Sequence, residues 1–251
     1  MRAGRLKRMI VYGIHPVLEA LRAGRVRRIK VASRADARLE EILAAAGQRG
    51  VPVVQVEQAV LERESRHGVH QGIVAEISPP ADYSVADLVR AADGSPLLVV
   101  LDGVEDPHNV GAILRSVDAA GAHGVIRQAR RAATLDAAAA KASAGAVAHV
   151  PIATVVNIAR ALEELRTLGV WTVGLAGDAP QSYDAVDLTL PTALVLGSEG
   201  RGLRRLVRQR CDLVAAIPMA GHVESLNVSV AAGIVLFEAA RQRRAAAARK
   251  P

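Results

Sequence analysis

The 251-residue chain holds a single cysteine, Cys211. One cysteine excludes an internal disulfide framework and a cysteine-based zinc site. Nothing around Cys211 suggests an activated thiol, so it reads as a small buried filler. Aromatic residues are nearly as scarce, with three Tyr, one Trp and one Phe. The core must therefore be built from Ala, Val, Leu and Ile, and extensive base stacking is excluded as a way of holding nucleic acid. No run reaches the roughly 18 apolar residues of a membrane span. Residues 1–10 are basic and lack the apolar centre of a signal peptide, so a cytoplasmic protein is expected. Gly197, Gly200 and Gly202 are spaced G-x-x-G-x-G, the reverse of a dinucleotide fingerprint. There is also no Walker loop, no nucleophile elbow and no H-E-x-x-H. A dehydrogenase, a P-loop NTPase and a zinc protease are therefore unsupported, and no metal is expected.

Acids are outnumbered by Lys and Arg, 25 to 32, for a net charge of +7. That balance favours a polyanionic partner, nucleic acid before membrane. The basic residues crowd the first thirty positions, from Arg2 to Lys30, where Glu19 is the lone acid. This is either a solvated face or a phosphate-contacting patch. The hydrophobic pattern predicts strands over 9–12, 29–32, 51–56 and 72–77 and helices over 16–23 and 37–46, a small α/β domain of residues 1–78. Its polar loop 63–72, with Arg66, His67 and His70, is a plain surface loop or an RNA contact. Ser78-Pro79-Pro80 opens an expected linker over 79–95, with a possible short helix over 85–91. A second domain, 96–251, alternates uniformly apolar strands (97–101, 124–126, 149–153, 170–174, 194–196, 213–217) with helices (110–120, 135–143, 156–168, 226–243). That alternation predicts a parallel sheet covered on both faces. The tail 245–251 is expected to fray.

Three stretches in this second domain carry the chemistry. In the first, Asp106-Pro107 begins a turn and Asn109 is expected to cap the helix over 110–120, which bears Arg115; Arg115 and Asp118 are spaced to pair as i and i+3. The second is Leu194-Val195-Leu196-Gly197-Ser198-Glu199-Gly200-Arg201-Gly202. The third is Ile217-Pro218-Met219-Ala220-Gly221-His222-Val223-Glu224-Ser225-Leu226-Asn227-Val228-Ser229. The last two share a plan in which a buried strand ends in a small, polar loop before a helix, leaving backbone N–H groups free for a ligand. Singly, each has a bland reading: a surface ion pair, a solvated loop glutamate, and helix caps at Ser225 and Asn227.

Taken in order, the three stretches closely resemble the motifs of the SpoU branch of the SPOUT RNA methyltransferases. Residues 12–21 and 70–75 also resemble the amino-terminal RNA-binding domain of the subgroup that methylates a guanosine ribose in large-subunit (23S) rRNA. The resemblance implies an α/β domain tied in a trefoil knot. It implies S-adenosylmethionine (SAM) as co-substrate, held by Leu196, Gly197, Gly200, Ile217, Met219 and Leu226. It implies Arg115 as the catalytic residue, with Asn109, Glu199, Ser225 and Asn227 holding that arginine and the ribose, and a homodimer formed through the C-terminal domain. Val230, Ile234 and Phe237, along one stripe of the last helix, could form that contact or belong to the core. Two other readings stand beside rRNA methylation: the same chemistry on tRNA or at an antibiotic-resistance site, and a non-catalytic RNA-binding or ribosome-assembly protein.

With few aromatics, RNA binding should rest on phosphate contacts. Affinity in a filter-binding titration should then fall steeply from low to moderate salt; a flat response would contradict it.

Overall fold

Every residue of β5 (Leu97–Asp102) is buried, and five of those six are aliphatic. A strand apolar on both faces needs cover on both, and the sequence supplies it as alternating helices and strands. In the computed structural model, which describes residues 9–32, 39–78, 83–130, 132, 139 and 142–249, β5 sits inside a seven-stranded sheet. Its strands, in chain order, are β5, β6 (Gly124–Gln128), β7 (Ile152–Val155), β8 (Trp171–Leu175), β9 (Gln181–Ser182), β10 (Thr192–Gly197) and β11 (Leu213–Ala216). They lie in the order β7-β6-β5-β10-β8-β11-β9, and every pairing is parallel.

In β10, Leu196 pairs with Leu101 and Gly197 with Asp102, so the two strands end together. The order runs outward from β5 through β6 and β7, then returns to β10, β8 and β11 on the other side. Such a reversal leaves a crevice at the carboxyl ends of the central strands. The helices of this unit are α4 (Val85–Arg90), α5 (Pro107–Ala119), α6 (Ile158–Thr167), α7 (Arg205–Arg210) and α8 (Val228–Ala248). The core on one face joins Leu98, Val100, Ile126, Ala193 and Val195 from the sheet to Ile158, Leu162 and Leu165 from α6.

The other unit carries a four-stranded sheet, β1 (Met9–Tyr12), β4 (Ile73–Ile77), β2 (Val26–Ala32) and β3 (Val53–Val56), in that spatial order. Only the β2–β3 pair is parallel. It packs against α1 (Ile14–Arg22), α2 (Glu40–Gln48) and α3 (Gln58–Glu64), with Val17, Leu21, Leu39, Ile42 and Leu61 fully buried.

Several boundaries differ from those the sequence suggests. Of the expected linker, residues 83–95 are integral to the second unit: Ser84 and Asp87 form a reciprocal cap on α4, and Val85 and Leu88 enter the sheet core. Proline marks a break there, but two apolar residues three apart still bury one helix face. Residues 142–149, expected in the second domain, group with the first unit. There Arg25 donates to the Val147 carbonyl at 2.7 Å, and His149 Nε2 lies 3.1 Å from Glu19 Oε2. The helix expected over 135–143 falls mostly outside the described residues. Short helices α3 and α7 were not foreseen, since six or seven residues show too little periodicity. α8 continues to Ala248 rather than fraying from 245, because its Ala-rich end keeps its helical bonding. Cys211 is half-buried; burial, with Asp212 and Asp102 nearby, pushes its thiol up to about 12, which makes it inert.

Near its end, α8 is tied to the rest of the unit. The Arg243 guanidinium donates to the carbonyls of Ser95 (2.5 Å), Pro96 (3.0 Å), Leu188 (3.0 Å) and Leu190 (3.0 Å), and burial pushes its pKa down. Arg243→Ala removes four hydrogen bonds; Pro96 O and Leu190 O keep donors from Thr192, so the loss falls mostly on Ser95 O and Leu188 O and should lower the free energy of unfolding by about 1–3 kcal/mol. Urea unfolding would show this as a lower midpoint at unchanged slope. Arg243→Lys should fall between, since one ammonium cannot span all four.

Candidate active site

The site is built where β10 ends. Gly197 pairs with Asp102, and the chain then doubles back in a tight hairpin. Ser198 N donates to Gly202 O (3.1 Å) and Gly202 N to Ser198 O (2.9 Å). A Cβ on Gly197 would lie 2.1 Å from the carbonyl carbon of Gly202, so only glycine fits. Gly200 and Gly202 take positive φ (75° and 63°), which the turn requires. The hairpin presents Glu199 at its tip.

Two other segments come to meet it. Asp106 caps α5 by accepting from His108 N at 3.0 Å, with Pro107 in the first turn, and this brings the nearly buried Asn109 to the end of β5. At the start of α8, Asn227 accepts from Ser229 N at 2.9 Å and caps that helix. The three side chains bond directly. Asn109 Nδ2 donates to Glu199 Oε1 (2.9 Å), Asn227 Nδ2 donates to the same oxygen (2.7 Å), and Asn227 Nδ2 also reaches Asn109 Oδ1 (3.0 Å). One carboxylate oxygen thus organises two carboxamides from distant parts of the chain.

Two clefts flank this triangle. The larger, about 530 Å³, is lined by the ends of β8 and β10, by Ile217 and Met219 after β11, and by residues 224–228. Leu196, Gly197, Gly200, Ile217, Met219, Ser225 and Leu226, all expected site residues, line it together with Glu199 and Asn227. Its size lies within the roughly 300–1,000 Å³ usual for small-molecule sites, and its walls combine aliphatic side chains and glycine backbone with the polar Glu199, Glu224, Ser225 and Asn227. The smaller cleft, about 320 Å³, is bounded by residues 103–106, Asn109 and Arg201, and shares Ser198 and Glu199 with the first. Among the described residues no group of three His, Cys, Asp or Glu could hold a metal ion.

Arg115 does not join this assembly. It is exposed on α5, lines neither cleft, and has no hydrogen bond or ion pair among the described residues, with Asp118 or with the triangle. Six residues of α-helix turn Arg115 about 240° from Asn109, so one helix cannot aim both at one point. Within the chain, Asn109, Glu199 and Asn227 meet without Arg115.

The sequence also left two residues unnamed. Asp102 is fully buried; it accepts from Arg204 N at 2.8 Å and from Arg204 Nε at 2.6 Å. A lone acid ending a wholly apolar strand was a readable signal for Asp102. Nothing in sequence marked Arg204.

Residues 96–237 match the model of the SpoU rRNA Methylase family, and residues 10–83 match that for RNA 2′-O ribose methyltransferase substrate binding. The chain belongs to the SpoU rRNA methylase family. Among curated SpoU relatives, the 23S rRNA (guanosine-2′-O-)-methyltransferase RlmB of Pseudomonas putida is 46% identical over 239 residues, 93% of this chain and 96% of its own. RlmB of Photorhabdus laumondii is also 46% identical, covering 93% of this chain and 98% of its own. Among solved structures, the SpoU methyltransferase AviRb of Streptomyces viridochromogenes in complex with AdoMet superposes with a TM-score of 0.81 at 30% identity, over 98% of this chain and 95% of its own. An AdoMet-bound rRNA methyltransferase from Sinorhizobium meliloti gives 0.77 at 28%, over 93% and 87%.

Asn227 serves as both helix cap and amide donor in this SpoU methylase, and the two roles can be separated. Asn227→Ala loses the cap, about 1 kcal/mol, at any pH. Asn227→Asp keeps the cap acceptor but sets a second carboxylate against Glu199. Like charges raise the folded-state pKa of such a pair. Its stability should thus be near wild type at low pH and should fall as pH rises through the carboxylate range. Chemical denaturation across pH 4–8 reads this; parallel curves for the two variants would refute the contact with Glu199.

Proposed function

We propose that this protein transfers the methyl group of SAM to the ribose 2′-oxygen of a guanosine in 23S rRNA. The observation that carries the reading is Glu199 Oε1, shared by Asn109 and Asn227 at the boundary between two clefts. One cleft suits the donor and the other the acceptor nucleotide. The residue types of the larger cleft fit SAM: Ile217, Met219 and Leu226 offer apolar cover for the adenine, and Gly197 and Gly200 let backbone approach. When bound, SAM supplies an electrophilic methyl group and a neutral thioether leaving group. The remaining work is done by the chain. The 2′-oxygen must lie in line with the methyl carbon and lose its proton, which passes to solvent, as the C–O bond forms and the C–S bond breaks.

In this reading Arg115 is not the base, because its guanidinium offers five N–H donors and no acceptor. It forks onto the phosphate next to the target ribose and stabilises charge developing on the oxygen. It does so from a dimer interface. α5 packs beside α8, whose outer face carries Val230 and Phe237 at 49% and 48% exposure with Ile234 half-buried between them. Val228, Ala232, Val235, Leu236 and Ala239 fill the opposite face, so the outer stripe is available to a second copy. The trefoil knot of the family, a cytoplasmic location and an RNA-holding role for the amino-terminal unit belong to the same proposal. Among the described residues no helix is long and apolar enough to cross a membrane.

A methylated ribose cannot cleave its own backbone in alkali. Large-subunit rRNA treated with the protein and SAM should therefore show one gap in an alkaline ladder, at a guanosine. A gap at another base, a gap only in tRNA, or an unbroken ladder would each overturn the reading. Phe237→Glu should shift the sedimentation of the dimer to that of a monomer and abolish the gap.

A further inference from the structure

A hairpin with glycine at three of its six positions, 197–202, is free to take many shapes, yet Glu199 must point one way to serve two amides. Just past the hairpin lies an interaction that nothing about the two clefts requires. Asp102 is 0% exposed at the end of β5. The Arg204 backbone N–H and Nε both donate to its carboxylate (2.8 and 2.6 Å), and Arg204 Nη2 reaches it as well. The same Nη2 donates to Gln128 Oε1 at 2.9 Å, and Gln128 Nε2 donates to Val156 O at 3.3 Å. The exit of the hairpin is thereby fastened to the ends of β5 and β6 and to the residue after β7.

We propose that Asp102 and Arg204 are a positioning pair for methyl transfer: they fix the one hairpin geometry in which Glu199 bonds Asn109 and Asn227 and residues 197–202 form a wall of the donor cleft. Only Asp102 of this pair is buried, and taking its charge out of water offsets much of the attraction to the half-exposed Arg204, so the pair is a poor device for stability alone. What it does supply is a unique geometry. Both Asp102 oxygens are engaged, one by the backbone of Arg204 and one by its side chain, so the main chain is fixed as well as the charge. Arg204 touches neither cleft, so it acts only through the hairpin.

The inference rests on the proposed SAM-dependent reaction, but SAM binding reads it without any RNA. Arg204→Ala should weaken SAM affinity by calorimetry, and slow single-turnover methylation, by roughly 10- to 100-fold, the scale of an ångström-level misplacement. The arginine side chain is 47% exposed, so its removal leaves a slot open to solvent beside Asp102. Guanidinium ion well below denaturing concentration should restore SAM affinity in part, and sodium chloride at equal ionic strength should not. Arg204→Lys, which keeps the charge but loses the fork, should fall between. Adding Arg204→Ala to Glu199→Ala should slow methylation by no more than about twofold beyond Glu199→Ala alone, because residues acting through one another are not additive. Unchanged SAM affinity in Arg204→Ala, or losses that multiply in the double variant, would overturn the proposal. Should Arg204→Ala fail to fold, Arg204→Lys in the same double-variant comparison decides it. Wild-type protein that bound SAM but left rRNA unmethylated would sink the proposed function and leave the positioning pair standing.

Discussion

One carboxylate oxygen holds the candidate site together. Glu199 Oε1 accepts from two carboxamides that lie 90 residues before it and 28 after it in the chain. Each partner is committed elsewhere as well: Asn227 caps α8, and Asn109 is nearly buried in the first turn of α5. The oxygen therefore joins two helix starts and one hairpin. Remove it, and two amide donors lose their shared acceptor; Asn227 keeps Asn109 Oδ1 within reach, and water must take the place of the carboxylate.

The parallel sheet makes such a meeting possible. All seven strands point the same way, so the loops after β5, β8, β10 and β11 emerge on one edge. The sheet supplies proximity but not orientation. Orientation comes from caps and from charge: Asp106 for α5, Asn227 for α8, and the buried Asp102 with Arg204 for the hairpin between them. Glycine is needed at 197 because Gly202 passes directly over it, and the flexibility this introduces is offset by the polar contacts on either side.

α8 shows how one element can serve three purposes. Its first residue position is set by the site, its inner face fills the core, and its far end is fastened by Arg243 to four carbonyls at the opposite edge of the sheet. Its outer face keeps Val230 and Phe237 in solvent, an unusual expense for a chain with so few aromatic residues. Shape at the site and an exposed apolar surface are thus properties of the same helix.

Much of this was legible in the residues alone. Uniformly apolar runs announced the buried parallel strands, because a strand covered on both faces cannot alternate. The glycine hairpin and the run from Ile217 to Ser229 suggested a shared pocket, since each leaves free backbone N–H groups after a buried strand; the stretch around Asn109 joined them only through its resemblance to the SpoU motifs. The sequence could not say that the two asparagines share a single oxygen, because that depends on strand order, which local pattern does not encode. Nor could it say that Arg115 stands apart from them, or that residues 83–95 join the sheet core while 142–149 group with the amino-terminal unit. It left Val230, Ile234 and Phe237 undecided between core and surface, because an apolar stripe has the same period on either side of a helix. Periodicity determines which residues share a face; only packing decides what that face meets, and that is a matter of contacts between residues far apart in the chain.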